Sequence, residues 1–116
     1  MKSLYKLLAE QNKKSQEYIQ NYIFYSKEIK MLIKDLLPDA KILVFGSVIK
    51  GTYRINSDID ILVISSKIPK GLFEQGEIKL KIKEKFPDAP FEIHLVTPYE
   101  YENWYKKFIK EDYIYI

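Results

Sequence analysis

The stretch Ile59 to Ile64 is apolar except for Asp60, and it constrains the fold more than any other feature of the chain. Taken from Ile59 to Ser65, it reads as a strand, because it is short, bounded by polar residues and rich in β-branched side chains. Alternate residues of a strand face opposite sides, so Asp58, Asp60, Leu62 and Ile64 share one face and Ile59, Ile61 and Val63 the other. Beyond Asp60 both faces are apolar, as in a central strand covered on both sides. Two carboxylates therefore stand at the entrance of a strand that otherwise runs through the core. Same-face neighbours lie about 6.5 Å apart, two strand rises. At an effective dielectric near 20 two such charges repel by roughly 2–3 kcal/mol, which a divalent cation between them relieves.

The remaining pattern supplies cover for such a strand. Residues 3–37 contain no Gly or Pro and read as helix. Tyr18, Tyr22, Tyr25, Ile29, Leu32, Ile33 and Leu36 recur at three- and four-residue spacing, and Pro38 ends the pattern. Lys13-Lys14-Ser15 is the candidate break if this region is two helices. Ile42 to Phe45 is a short buried strand closed by Gly46, followed by a loop with Gly51 and Asn56. Leu72 to Phe86 reads as helix on its length, although Ile78, Leu80 and Ile82 also alternate as in a strand. Phe91 to Thr97 is a third strand, and Pro98 opens a last helix with Trp104, Tyr105 and Phe108 facing inward. The order describes one small α/β (α+β) domain over residues 1–116, with helices covering a sheet. It divides into a helical region at about 3–37, a core at about 41–97 and a C-terminal helix at about 98–110.

Composition narrows the chemistry. The 116 residues suit one domain, which buries about two-thirds of its unfolded surface. With no cysteine and a single histidine, His94, disulfide scaffolds, thiol nucleophiles and Cys/His zinc centres are excluded. Metal chemistry then falls to oxygen ligands and a hard cation such as magnesium. The net charge of +3 is mildly basic and no dense Lys/Arg block occurs, so direct nucleic-acid binding is not expected. Lys79, Lys81, Lys83 and Lys85 read as a solvated helix surface. No apolar run approaches the ~20 residues of a membrane span. The N-terminal residues do not form a signal peptide, so the expected location is cytoplasmic and no membrane is expected as a partner.

In the third strand Glu92, His94 and Val96 share a face, so beside the second strand Glu92 would join Asp58 and Asp60. Three acids around two magnesium ions suit phosphoryl or nucleotidyl transfer. Directly after the first strand, Gly46 and Ser47 offer close backbone approach, N–H donors and a hydroxyl to a phosphate, with Lys50 and Arg54 adding positive charge. His94 reads either as a structural residue or as one that orients a carboxylate or contacts an acceptor.

Phe45-Gly46-Ser47-Val48-Ile49-Lys50-Gly51, five further residues, then Ser57-Asp58-Ile59-Asp60-Ile61 resembles the nucleotidyltransferase signature of the DNA polymerase β superfamily. The small size points to its minimal nucleotidyltransferase (MNT) branch. The resemblance implies a polymerase β-like fold, a short mixed β-sheet flanked by helices. It also implies Gly46 and Ser47 at the triphosphate of ATP, with Lys50 and Ser57 in the nucleotide-binding set. Asp58 and Asp60 become ligands of Mg2+, and Glu92 the third acid, which holds metal and activates an acceptor hydroxyl. Ile49 and Lys50 depart from the usual Ala and Arg, and Glu92 from the usual Asp; Lys keeps the charge of Arg and loses its fork.

MNT proteins typically pair as antitoxins with a HEPN-domain RNase toxin, and some transfer AMP from ATP to a tyrosine of that partner. The implied activity is thus magnesium-dependent transfer of AMP to a protein hydroxyl. Alternatives are a non-catalytic antitoxin that neutralises its partner by contact, and a small-molecule transferase similar to the aminoglycoside nucleotidyltransferases. A continuous N-terminal helix of about 50 Å would overhang a domain whose radius of gyration is near 13–14 Å, which suits a partner chain or homo-oligomer. Tyr113 to Ile116 is apolar enough to dock as an extra strand or on a partner. So short a chain leaves almost no room for an acceptor pocket.

Overall fold

A computed structural model describes residues 3–54 and 56–116; Met1 and Lys2 of the expected domain, and Ile55 in the loop before the acids, lie outside the described residues. Helices α1 (Leu4–Gln20) and α2 (Tyr22–Leu36) precede β1 (Lys41–Phe45) and a single turn, α3 (Ser47–Lys50). Then come β2 (Ile59–Ile64), α4 (Leu72–Lys85) and β3 (Phe91–Val96). The C-terminal arm comprises α5 (Pro98–Glu100), a π-helical turn at Tyr101–Tyr105, α6 (Lys106–Ile109) and β4 (Tyr113–Tyr115).

The sheet has the order β3-β2-β1-β4 and is mixed. β1 runs antiparallel to β2 and β4, whereas β2 and β3 are parallel and joined by the α4 crossover. β2 is thus internal, as its doubly apolar sequence demands. One face packs Ile42, Val44, Ile59, Ile61 and Val63 against Ile29 and Ile33 of α2 and Ile78 and Ile82 of α4. The opposite face packs Leu43, Phe45, Leu62, Ile64 and Val96 against Ile109, with Tyr101, Tyr105 and Tyr113 around them. Ile59, Ile61, Leu62 and Val63 are fully buried, each contributing about 1.5–3 kcal/mol of transfer free energy. The buried Ile78 and Ile82 with the exposed Leu80 settle α4 as helix.

The N-terminal region is two helices, broken at Asn21 and not at Lys13–Ser15. Both the Asn21 backbone N–H and its side-chain amide donate to the Glu17 carbonyl, at 3.1 and 3.0 Å. A side chain that competes for helix carbonyls in this way favours a terminus. α1 extends away from the body: Ile19 is its one buried residue among those described, while Leu4 and Tyr5 are 73% and 84% exposed. The radius of gyration is accordingly 15.0 Å.

The last four residues join the sheet. β4 pairs with β1, the Ile116 N–H donates to the Ile42 carbonyl at 3.0 Å, and Lys30 Nζ donates to Ile116 O at 2.7 Å. Thr97 ends β3 and caps α5: its hydroxyl accepts from the Glu100 N–H at 3.2 Å, and the Glu100 carboxylate accepts from the Thr97 N–H at 3.0 Å. Trp104 and Phe108 do not face inward; they are 58% and 74% exposed. Tyr105 does face inward, as expected; the π-helical turn widens the repeat, so Tyr101 and Ile109, each four residues from it, share that face.

Candidate active site

The site forms where β1 ends and β2 begins. Gly46 leaves β1 with φ 87° and ψ −153°, a conformation essentially confined to glycine. A Cβ at Gly46 would lie 2.5 Å from Asp60 Oδ2, so the Asp60 carboxylate rests directly against this backbone. Ser47 then opens α3, whose Ile49 and Lys50 N–H groups both donate to the Gly46 carbonyl at 3.1 Å. Gly51, in the left-handed region at φ 75°, turns the chain out of that helix. Ser47 is half-buried and Lys50 is exposed.

Parallel pairing sets Glu92 opposite Asp60 and His94 opposite Leu62. The His94 Nε2 lies 3.3 Å from Asp60 Oδ1 and 3.9 Å from Glu92 Oε1. The imidazole is held between rings, with centroids 5.3 Å from Phe45 and 6.2 Å from Tyr105. His94 therefore has the geometry of the carboxylate-orienting alternative. Glu92 carries the more accessible carboxylate, with 54% of its side chain exposed against 23% for Asp60.

Potential metal-ligating atoms of Asp60, Glu92 and His94 all lie within 4.8 Å of one another, the one such group among the described residues. Ligand atoms around a single cation at 2.0–2.1 Å stand about 3–4 Å apart, so this set fits one divalent ion. Asp58 is not in the group. It precedes β2 by one position, exposed to solvent, while the adjacent Ile59 N–H donates to the Pro90 carbonyl at 2.6 Å. The Ser57 hydroxyl accepts from the Arg54 N–H at 2.7 Å and its own N–H donates to the Arg54 carbonyl at 3.0 Å. Ser57 thus closes the loop that delivers Asp58 and Asp60.

A cleft of about 460 Å³ opens over Gly46, Lys50, Asp60 and His94, with Phe45 and Tyr105 in its wall. A second cleft of about 450 Å³ lies on the far side of His94 and Tyr105, lined by Glu92 and by residues of β3 and α4. The shortness of the chain did not suggest this second space. Tyr105, shared by both clefts, reads from sequence only as a core aromatic; nothing in the residue pattern marks the π-helical turn that aims it. Lys79, Lys81, Lys83 and Lys85 are all exposed, in keeping with a solvated helix surface.

The profile of the nucleotidyltransferase domain family matches residues 26–116. A solved structure described as a candidate nucleotidyltransferase is 38% identical, with TM-score 0.56, covering 78% of this chain and 95% of its own. Another candidate nucleotidyltransferase, from Sulfolobus solfataricus, is 22% identical with TM-score 0.58, covering 87% of this chain and 84% of its own. A toxin–antitoxin structure with AMP-PNP is 28% identical over 60% of this chain and 56% of its own, with TM-score 0.48. No curated protein matches the sequence. A mixed sheet, a glycine turn seated on an aspartate and a family match over most of the length agree: the chain belongs to the nucleotidyltransferase domain family, with the polymerase β-like fold its motif implied.

Proposed function

We propose that this nucleotidyltransferase moves AMP from ATP, with magnesium, to a hydroxyl of a protein, and that a HEPN-domain RNase toxin is the acceptor it silences. The observation that carries the transfer reading is the Asp60 carboxylate packed on Gly46 with Glu92 and His94 beside it. A phosphate-approachable backbone thereby meets Asp60 and His94 in one cleft, and Glu92 lines the adjoining one. Gly46 and Ser47 would hold the triphosphate through N–H and hydroxyl donors, and Lys50 would add a point charge at the rim. Asp60 and Glu92, with Asp58 completing a second position, would hold Mg2+, two ions when nucleotide is bound. A cation held there would neutralise phosphate oxygens and favour ionisation of the acceptor hydroxyl. The acceptor oxygen bonds to the α-phosphorus, the bond to pyrophosphate breaks, and the acceptor proton passes to the exposed Glu92 carboxylate. His94 keeps Asp60 oriented throughout.

The test is intact-mass analysis of a HEPN-domain partner after incubation with the chain, ATP and magnesium. Mass gains of whole nucleotidyl units are expected, lost in Asp60→Asn. Transfer that survives Asp60→Asn would overturn the mechanism.

One observation favours a second reading, neutralisation by contact. α1 exposes Leu4, Tyr5, Leu7 and Leu8 along its N-terminal half, whereas Tyr18 and Ile19 at its other end pack on the body. An Asp58→Asn/Asp60→Asn double variant that still suppresses the partner in full would select it. Among the described residues no helix is long and apolar enough to cross a membrane.

A further inference from the structure

β3 is the outermost strand on its side of the sheet. Two hydrogen bonds fix which of its residues face inward: Ile59 N–H to the Pro90 carbonyl and Ser65 N–H to the Val96 carbonyl, at 2.6 and 3.0 Å. In a parallel ladder the bonding residues recur every second position. Pro90, Glu92, His94 and Val96 therefore bond to β2, and Phe91, Ile93 and Leu95 turn their N–H and C=O groups to the open edge. The 450 Å³ cleft runs along that edge. Its α4 wall carries Lys79 and Lys83, one helical turn apart, both exposed and neither in an ion pair among the described residues. Its other wall is Tyr105.

Bare strand edges invite pairing, and proteins ordinarily blunt them with lysines on the strand itself or with a covering element. β3 (Phe91–Val96) contains no lysine; the cations stand back on the neighbouring helix, leaving the edge free with positive charge on its α4 side and the Glu92 carboxylate on the other.

We infer that the acceptor docks here as an extended acidic polypeptide segment that adds a strand to the β3 edge. This rests on the reading that the acceptor is a protein. An added strand would lie about 4.8 Å from β3 and alternate its side chains between the two sheet faces. Residues on the face shared with Glu92 and His94 would come beside the acid cluster, where a Ser, Thr or Tyr hydroxyl meets the Glu92 carboxylate. Their immediate neighbours would point to the α4 face, toward Lys79 and Lys83. The expected signature is a hydroxyl residue flanked directly, at positions −1 and +1, by Asp or Glu. Main-chain pairing supplies affinity and the alternate side chains supply specificity.

The experiment is a displayed library of ten-residue peptides with a fixed central tyrosine, panned against the full chain. Selected peptides should carry acids at the flanking positions. One of them, made synthetically, should slow amide exchange of Phe91, Ile93 and Leu95 by about tenfold or more, with Ile61 unchanged. A Lys79→Glu/Lys83→Glu variant should bind that peptide at least about tenfold more weakly while retaining binding of magnesium–ATP. Failure to select any peptide, selection without flanking acids, or unprotected edge amides would overturn the inference. So would protection of the same amides by single-stranded RNA in place of the peptide. The parent reading fails separately: AMP transfer to a protein with a silent edge overturns only the docking, whereas peptide on the edge without transfer overturns only the chemistry.

Discussion

Replacing Gly46 by alanine should separate the two demands made on this glycine. The first is conformational. At φ 87° and ψ −153° a non-glycine residue costs of order 1–3 kcal/mol. For a chain of 116 residues, with about 2.1 cal/mol/K of unfolding entropy per residue, that lowers Tm by about 4–12 °C. The second is steric, since the added methyl would meet Asp60 Oδ2 at 2.5 Å. The tip of a flexible side chain can rotate away, so the larger consequence is geometric: the carboxylate leaves His94 Nε2 and the Asp60–Glu92–His94 group opens. Gly51 is the control, with φ 75° and nothing within 4 Å of a Cβ. Gly51→Ala should cost about 1–2 kcal/mol and leave the site intact. Thermal unfolding and calorimetric titration with Mn2+ report the two quantities independently. We expect Gly46→Ala to lose both stability and cation affinity, and Gly51→Ala to lose stability alone. In an Asp60→Ala background the added methyl meets no carboxylate, so the Gly46→Ala cost should shrink, by about 0.5–2 kcal/mol in a double-mutant cycle. Equal cation binding by Gly46→Ala and wild type, or zero coupling in the cycle, would refute the contact between Gly46 and Asp60.

The same titration ranks the acids: Asp60→Asn should remove cation binding, whereas Asp58→Asn, outside the three-residue group, should weaken it less; the reverse order would displace Asp60 from the centre. At the opposite end of the strand, hydrogen bonds from the Ser65 hydroxyl, the Ser66 hydroxyl and the Ser66 N–H hold the Asp39 carboxyl well below the usual carboxylate range. A depressed folded-state pKa gives stability that is complete above the unfolded value of about 4 and fades as pH falls below it. Asp39→Asn should therefore lower Tm at neutral pH by an amount that narrows in acid; a difference that widens in acid would contradict this. In the C-terminal arm, Trp104→Ser and Phe108→Ser should change stability by less than about 0.5 kcal/mol. Ile109→Ala, 4% exposed, should cost about 2–5 kcal/mol in urea unfolding.

How much of this was legible in the sequence depended on whether one local rule decided the matter. Period-two alternation put Asp60 and Glu92 on faces that could meet, and the parallel register Asp60↔Glu92 makes them neighbours. The internal position of β2 followed from its two apolar faces. Asn21 was less visible, because a polar residue within a helical run ends the helix only when its amide captures the Glu17 carbonyl. The π-helical turn was invisible: a single widened turn exchanges Trp104 and Phe108 for Tyr101 and Ile109 without changing composition or hydrophobic count. The second cleft arises from which strand ends the sheet, a property of the topology that no local pattern carries. Asp58 illustrates the same limit. Alternation gives it the face of Asp60, but β2 begins one residue later, so its side chain is not held by the ladder.

The α4 crossover also divides the site in time. Asp60 lies in the antiparallel β1–β2 pair, and Gly46 and Ser47 open the short connection between its strands. Glu92 and His94 reach them only after the chain between Ile64 and Phe91 has folded back and docked α4, a longer closure with a larger entropic penalty. The half that would grip phosphate is therefore built from local contacts, and the half that would receive the acceptor from distant ones. Loop-closure entropy thus favours assembly of the Gly46–Asp60 half of the cleft before Glu92 and His94 are brought beside it.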